Sequence, residues 1–239
     1  MGELSKLLGR FFDGDEDTVN TALERALLAR NNVVSTHKGG AIYPSGLFNG
    51  CIRSMYFDMT HAPRNTVALA PTKRLIFDTG HYIHDQLQDT LKKHYGKRFQ
   101  FEVPARSAKL CIRGRCDGVI DGKIGMDFKT INMDRIKMLR ITDKRRRLCM
   151  PFIYDAYQLN IYIKLLDLSH GWIVYYNKND STRLEGKVMP NEKWWAEVEE
   201  KCKFVIRCVD KKEAPEYNIH RYCSECKFKD HCLELENAA

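Results

Sequence analysis

The stretch from Phe99 to Ile131, FQFEVPARSAKLCIRGRCDGVIDGKIGMDFKTI, decides the fold. It divides into three β-rich runs, Phe99 to Ser107, Lys109 to Ile120 and Lys123 to Ile131, and Asp121-Gly122 joins the last two. Asp-Gly tolerates the two positive φ angles that a tight hairpin turn requires, so the runs predict an antiparallel meander. Upstream, Pro71 opens a segment in which Leu75, Ile76, Ile83, Leu87 and Leu91 recur at helical spacing, which predicts a helix buried on one face. Downstream, Pro151 opens a second helix with apolar Ile153, Tyr157, Ile161, Leu165 and Leu168, stopped by Ser169-His170-Gly171. Strands follow at Trp172 to Asn177 and Arg183 to Met189, then a helix from Asn191 to about Val209. This order predicts an α/β fold, a central sheet flanked by helices.

The chain has 239 residues, 44% of them hydrophobic and 29% charged, enough for one large domain or one domain with an appendage. The expected organisation is a helical N-terminal region over 1–70 that carries Cys51, a core over 71–209, and a Cys-containing C-terminal segment over 210–239. Residues 1–60 pattern weakly, with one apolar-periodic stretch from Val19 to Leu28. No apolar run is long enough to cross a membrane, and Lys6, Arg10, Asp13 and Asp15 interrupt the beginning of the chain as no export signal would. A cytoplasmic protein without a membrane or lipid anchor is expected. The net charge of +8 points to an anionic partner. It concentrates between Arg135 and Arg147, where Arg135, Lys137, Arg140, Lys144, Arg145, Arg146 and Arg147 face only Asp143. That run reads either as a phosphate-contacting loop or as a solvated surface segment.

Asp127-Phe128-Lys129 lies in the third run of the meander, so alternation puts the carboxylate and the ammonium on one face and Phe128 on the other. Arg115-Cys116-Asp117-Gly118 carries a second carboxylate on the neighbouring run, within reach of Asp127 if the two strands pair. Taken singly, these are a surface ion pair and a turn cap. Taken together, two acids able to share a divalent ion, beside a mobile cation, are what phosphodiester hydrolysis requires.

With Gly80 and His84 upstream, and Gln158 and Tyr162 downstream, these residues resemble the ordered motifs of RecB-family nucleases in the PD-(D/E)XK superfamily, over roughly residues 75 to 177. The resemblance implies a restriction-endonuclease-like core of mixed sheet flanked by helices, with a helical, Cys-rich appendage. It also implies that His84, Asp117, Asp127 and the backbone carbonyl of Phe128 hold a catalytic Mn²⁺ or Mg²⁺ ion. A histidine ligand favours Mn²⁺, and His81 is a weaker candidate on the polar side of the same helix. Lys129 would position the attacking water, with Gln158 and Tyr162 beside it, and Asp127 stands where many relatives carry Glu. Arg113 and Arg115, alternating on the strand that leads to Asp117, and Arg145, Arg146 and Arg147 are candidate DNA contacts.

Nine cysteines in a chain expected to be cytoplasmic argue for metal ligation rather than disulfides. Cys223-x2-Cys226-x5-Cys232 supplies three thiolates and leaves one position open. Zn²⁺ completed by His220, His231 or Cys51 and a four-iron, four-sulfur (4Fe-4S) cluster held by four cysteines both satisfy that spacing. Iron-sulfur members of the family it resembles, including CRISPR-adaptation exonucleases, pair a distant upstream cysteine with such a late trio, which implies Cys51 as the fourth ligand. Cys111, Cys116, Cys149, Cys202 and Cys208 lack a ligand spacing and read as small buried or half-buried hydrophobes.

The function expected is a metal-dependent DNA nuclease, an exonuclease on single-stranded DNA or single-stranded ends, with endonuclease activity an open question. The alternatives are a noncatalytic DNA-binding subunit of a processing complex and a zinc-stabilised nucleic-acid-binding protein. No G-x4-G-K-[ST] motif is present, so unwinding would fall to a helicase or adaptation-complex partner. CRISPR adaptation, DNA repair and bacteriophage recombination would each suit such an enzyme.

Overall fold

The computed structural model describes residues 39–65, 70–220 and 223–237. Of these, 70–78 belong to one compact unit and the remainder to a second. The Val19 to Leu28 stretch lies outside the described residues. The described chain runs α1 (Ile52–Met59), α2 (Pro71–Tyr95), β1 (Phe99–Ser107), β2 (Ile112–Ile120), β3 (Ile124–Ile131), α3 (Met133–Lys137), β4 (Ile141–Asp143), β5 (Leu148–Cys149), α4 (Ile153–Leu165), β6 (His170–Asn177), β7 (Arg183–Val188), α5 (Glu192–Lys211) and α6 (Lys229–Asn237). No described helix is long and apolar enough to cross a membrane.

One seven-stranded sheet carries the strands in the order β1-β2-β3-β6-β7-β5-β4. The meander forms as expected: β1 pairs antiparallel with β2, and β2 with β3. At its tight turn Asp121 and Gly122 take φ of 52° and 64°, the left-handed values that Asp-Gly permits. Arg98 clamps the turn with two hydrogen bonds to the Asp121 carboxylate. The chain then crosses over through α4, and β6 returns parallel to β3 in unbroken register from Ile124↔His170 to Ile131↔Asn177.

Helix α4 is the centre of the fold because eight of its thirteen residues are buried. Leu159, Tyr162 and Ile163 pack on the sheet with Ala105, Val119, Ile173 and Leu184. Tyr157 and Ile161 face the opposite way, into a second core with Met55, Phe57, Val198, Val205 and Phe228. A helix covered on both sides needs no polar stripe. Its buried Asn160 is satisfied by the start of α5, accepting from Asn191 N at 2.8 Å and donating to Asn191 O at 3.3 Å.

The structure corrects two sequence expectations. The most deeply buried side chain of α2 is polar: Gln88 is the helix's one buried residue, while the expected apolar positions Ile83, Leu87 and Leu91 are half-buried. The helix meets the sheet through Gly80, His84 and Gln88, spaced at four residues, because a small and two polar side chains fit over a polar site. The basic stretch, expected as a loop, contains α3, β4 and β5; strands of three and two residues are too short to leave a period in the sequence.

Strand β6 lies so near α4 that a Cβ built on Gly171 would stand 2.7 Å from Leu159 Cδ2. Gly171→Ala is expected to destabilise the fold by ~1–3 kcal/mol through overpacking, and Leu159→Ala by ~2–5 kcal/mol through a cavity. The double variant is expected to cost less than their sum, because the new methyl enters the vacated space. Urea unfolding of the four proteins measures the coupling.

Candidate active site

Between β2 and β3 the sheet forks. Their pairing covers Ile120↔Ile124, Val119↔Gly125 and Gly118↔Met126 and stops there. Strand β2 stays with β1 as far as Ser107↔Ile112, and β3 stays with β6. Where the ladder ends, the Asp117 carboxylate takes over as acceptor: its Oδ2 receives the Phe128 N–H at 2.7 Å. The buried Cys116 thiol fills the crotch, 3.3 Å from Gly118 O and 3.4 Å from Met126 O. Burial pushes that thiol up to about 12, so it stays neutral.

The two faces of β3 at the fork meet different helices. Phe128 lies under α2, its ring 5.9 Å from that of His84 in an edge-on contact. His84 Nδ1 stands 3.6 Å from Asp117 Oδ2. Burial holds the imidazole below its ordinary value, with Lys129 adding to the shift and Asp127 opposing it. Asp127 and Lys129 meet α4, with Lys129 Nζ 2.9 Å from Asp127 Oδ2, 3.3 Å from Gln158 Oε1 and 4.0 Å from Asp155 Oδ1. Gln158 in turn donates to the Tyr162 hydroxyl at 3.3 Å.

Charge in this cleft is crowded. Burial and then the Asp127 charge push Asp117 up to about 7, against the Phe128 N–H bond. Burial alone would lower Lys129, but Asp127 and Asp155 outweigh it and hold the ammonium above the usual lysine range. Asp127 is 1% exposed, and its Oδ2, although beside Lys129, makes no hydrogen bond of good geometry. Among the described residues no three His, Cys, Asp or Glu side chains form a ready coordination set as they stand. The Asp127 oxygen, ion-paired with Lys129 and next to a second carboxylate whose proton affinity is raised, is nonetheless the donor chemistry that suits a hard cation.

Sequence reasoning missed three residues here. Asp155, one helical turn before Gln158, is pushed up to about 6 chiefly by burial, with Lys129 pulling the other way. Tyr175 donates to Asp155 Oδ2 at 2.9 Å, and burial and that carboxylate raise its hydroxyl well above the ordinary range. Gln88 donates to Asp117 O at 3.0 Å and to Glu102 Oε1 at 3.2 Å. The i+4 step from His84 to Gln88 and the i+3 step from Asp155 to Gln158 were the available signals.

The candidate DNA contacts separate. Arg113 and Arg115 are exposed on β2, and Arg115 is paired with Glu102 at 3.2 Å. Arg145, Arg146 and Arg147 lie in the turn between β4 and β5, at the far edge of the sheet. The line of partners Leu148↔Glu185, Glu185↔Val174 and Val174↔Phe128 puts β5 three strands from β3, roughly 14 Å at the usual strand spacing.

Away from these residues in sequence, Cys51, Cys223, Cys226 and Cys232 line one cavity of about 340 Å³ together with Arg53 and His220. Burial raises the Cys226 and Cys232 thiols above their ordinary values. His231 does not line that cavity; its ring packs edge-on against Phe57 at 5.0 Å. Phe228 packs on Phe57 at 5.5 Å, while Lys227 reaches Asp58 at 2.7 Å and Glu236 reaches Arg53 at 3.0 Å, so the segment from Cys223 onward is docked on α1. Cys116, Cys149 and Cys202 are buried, and Cys111 and Cys208 half-buried.

No protein-family model and no curated protein matches the sequence. Among solved structures, the chain is similar to the alkaline exonuclease LHK-Exo from Laribacter hongkongensis, at a TM-score of 0.53 and 11% identity over 79% of this chain and 93% of that one. LHK-Exo in complex with dAMP gives a TM-score of 0.52 and 12% identity over the same shares. SSO0001 is 21% identical over 92% of this chain and 96% of its own, at a TM-score of 0.48. The likeness to LHK-Exo establishes the fold, an α/β core in which a mixed sheet is flanked by helices. On that fold, Lys129 is the cation nearest to Asp155, whose value already lies above the ~3.9 of an unfolded chain. A carboxyl raised on folding contributes stability below its unfolded value and loses it as the pH rises through the folded one. Lys129→Met is therefore expected to cost ~3–5 kcal/mol at pH 8 and clearly less at pH 5. Adding Asp155→Asn should flatten that dependence in thermal melts.

Proposed function

We propose that this protein is a divalent-metal-dependent DNA nuclease, acting as an exonuclease on single-stranded DNA or a single-stranded end. The observation that carries the reading is the fork, where Asp117, Asp127, Lys129 and His84 converge on the end of a broken strand ladder. His84, Asp117, Asp127 and the Phe128 carbonyl are the groups that would hold Mn²⁺ or Mg²⁺. When bound, that ion polarises the phosphate and acidifies water. Lys129, fixed by Gln158 and facing Asp155, holds a positive charge beside the reacting phosphate and orients the attacking water. Tyr162 steadies Gln158. The fold shared with an alkaline exonuclease, one of whose structures contains dAMP, supports exonucleolytic cleavage of DNA.

A second metal centre belongs to the same proposal: a 4Fe-4S cluster on Cys51, Cys223, Cys226 and Cys232, structural in role. The lining of a single cavity by all four thiols supports it. Zn²⁺ with His231 as ligand is disfavoured, because that ring is engaged with Phe57 outside the cavity.

Two measurements test these readings. Digestion of 5′-labelled single-stranded DNA with Mn²⁺ is expected to release short products with the wild type and at least 100-fold more slowly with Asp127→Ala. Equal rates in both would refute the catalytic assignment. Anaerobically purified protein is expected to contain iron and acid-labile sulfide near four per chain and to absorb in the visible. Cys51→Ser should lose both and melt at a lower temperature, whereas colourless protein with stoichiometric zinc would replace the cluster by a zinc site.

A further inference from the structure

We infer that Tyr154, backed by Phe152 and Arg135, is a stacking platform for an unpaired DNA base next to the active site, an inference that rests on the nuclease reading above. Phe152 is the N-cap of α4 and Tyr154 lies in its first turn. Their rings stack nearly parallel, 5.4 Å apart at 9°. The Arg135 guanidinium lies 4.9 Å from the Phe152 centroid and 5.6 Å from that of Tyr154, and donates a hydrogen bond to the Tyr154 hydroxyl. Phe152 thus covers one face of Tyr154, whose residue surface is still 38% exposed, and Arg135 fixes the orientation of the ring. A pre-oriented aromatic loses little entropy when a base is laid on it.

The platform is wired to the reaction site. Phe152 N–H donates to the Tyr175 hydroxyl at 2.9 Å, Tyr175 donates to Asp155 at 2.9 Å, and Asp155 faces Lys129 at 4.0 Å. Tyr154 itself precedes Asp155 directly in the first turn of α4.

Charge selects the occupant. Met138, Met150 and Ile153, close in sequence to Arg135 or to the two rings, are exposed and would suit an apolar partner. The connection that carries Arg135, however, also carries Lys137 and Arg140, against which the acids Asp134 and Asp143 leave a surplus of positive charge. Aromatic faces among cations match a polyanion with free bases, which is single-stranded rather than duplex DNA.

The test uses the full-length protein in EDTA, to prevent cleavage, with a single-stranded oligonucleotide that carries 2-aminopurine at its terminal positions. The wild type is expected to quench the fluorophore. Tyr154→Ala should bind about five- to 100-fold more weakly without quenching, Tyr154→Phe should stay within about twofold of the wild type, and Arg135→Gln should fall between. Wild-type affinity and quenching in Tyr154→Ala would overturn the platform, and so would equal wild-type affinity for an oligonucleotide whose terminal nucleotides are abasic. Circular dichroism confirms that each variant is folded. Cleavage is scored separately with Mn²⁺ in the wild type: its absence would overturn the nuclease reading, while the platform stands or falls on the quenching.

Discussion

Everything at the candidate site depends on one hydrogen bond, from Phe128 N–H to the Asp117 carboxylate. A strand ladder that simply ended would leave a buried backbone donor without a partner, at a cost of about 1–3 kcal/mol. Because a side chain takes over as acceptor, β2 can leave β3 without that penalty, and the cleft opens where the two part. The same carboxylate is thereby placed between His84 on one helix and the Asp127–Lys129 pair on the strand. Strand geometry does the rest: residues 127 and 129 face α4 and residue 128 faces α2, so one tripeptide serves both layers.

Much of this was legible in the sequence because it is local. The Asp121-Gly122 turn, the alternation through Asp127-Phe128-Lys129 and the helix that begins near Ile153 all announce themselves within a few residues. What escaped is what depends on distant partners. The apolar residues of α2 gave only the flank of its buried face, since the row laid on the sheet is Gly80, His84 and Gln88, two of them polar. Asp155 and Tyr175 come from a helix and a strand twenty residues apart and meet only through the crossover. The Arg145 to Arg147 run looked suited to the site by charge alone, and sheet order carries it to the opposite edge.

The cysteine segment shows the same contrast. The spacing of Cys223, Cys226 and Cys232 is visible at once, but it does not say which upstream residue completes the set. Docking on α1, through the Lys227–Asp58 and Glu236–Arg53 pairs and the Phe228–Phe57 contact, places Cys51 in the same cavity as the trio. Phe57 also belongs to the core behind α4, so the cavity and the sheet share a wall of packed side chains.

The parallel pairing of β3 with β6 bears on how the protein folds. The meander from Phe99 to Ile131 joins near neighbours, whereas Ile124 must find His170, 46 positions later. Closing a loop of that length is entropically costly before any pairing rewards it, so a hairpin-first order follows, with α4 and β6 docking afterwards. Asp127 and Lys129 are laid down in the early element, and Asp155, Gln158 and Tyr175 arrive with the late one. During synthesis, then, Lys129 meets its helix-borne partners only after the crossover has closed, and an incompletely made chain carries the two acids without the groups that hold their lysine.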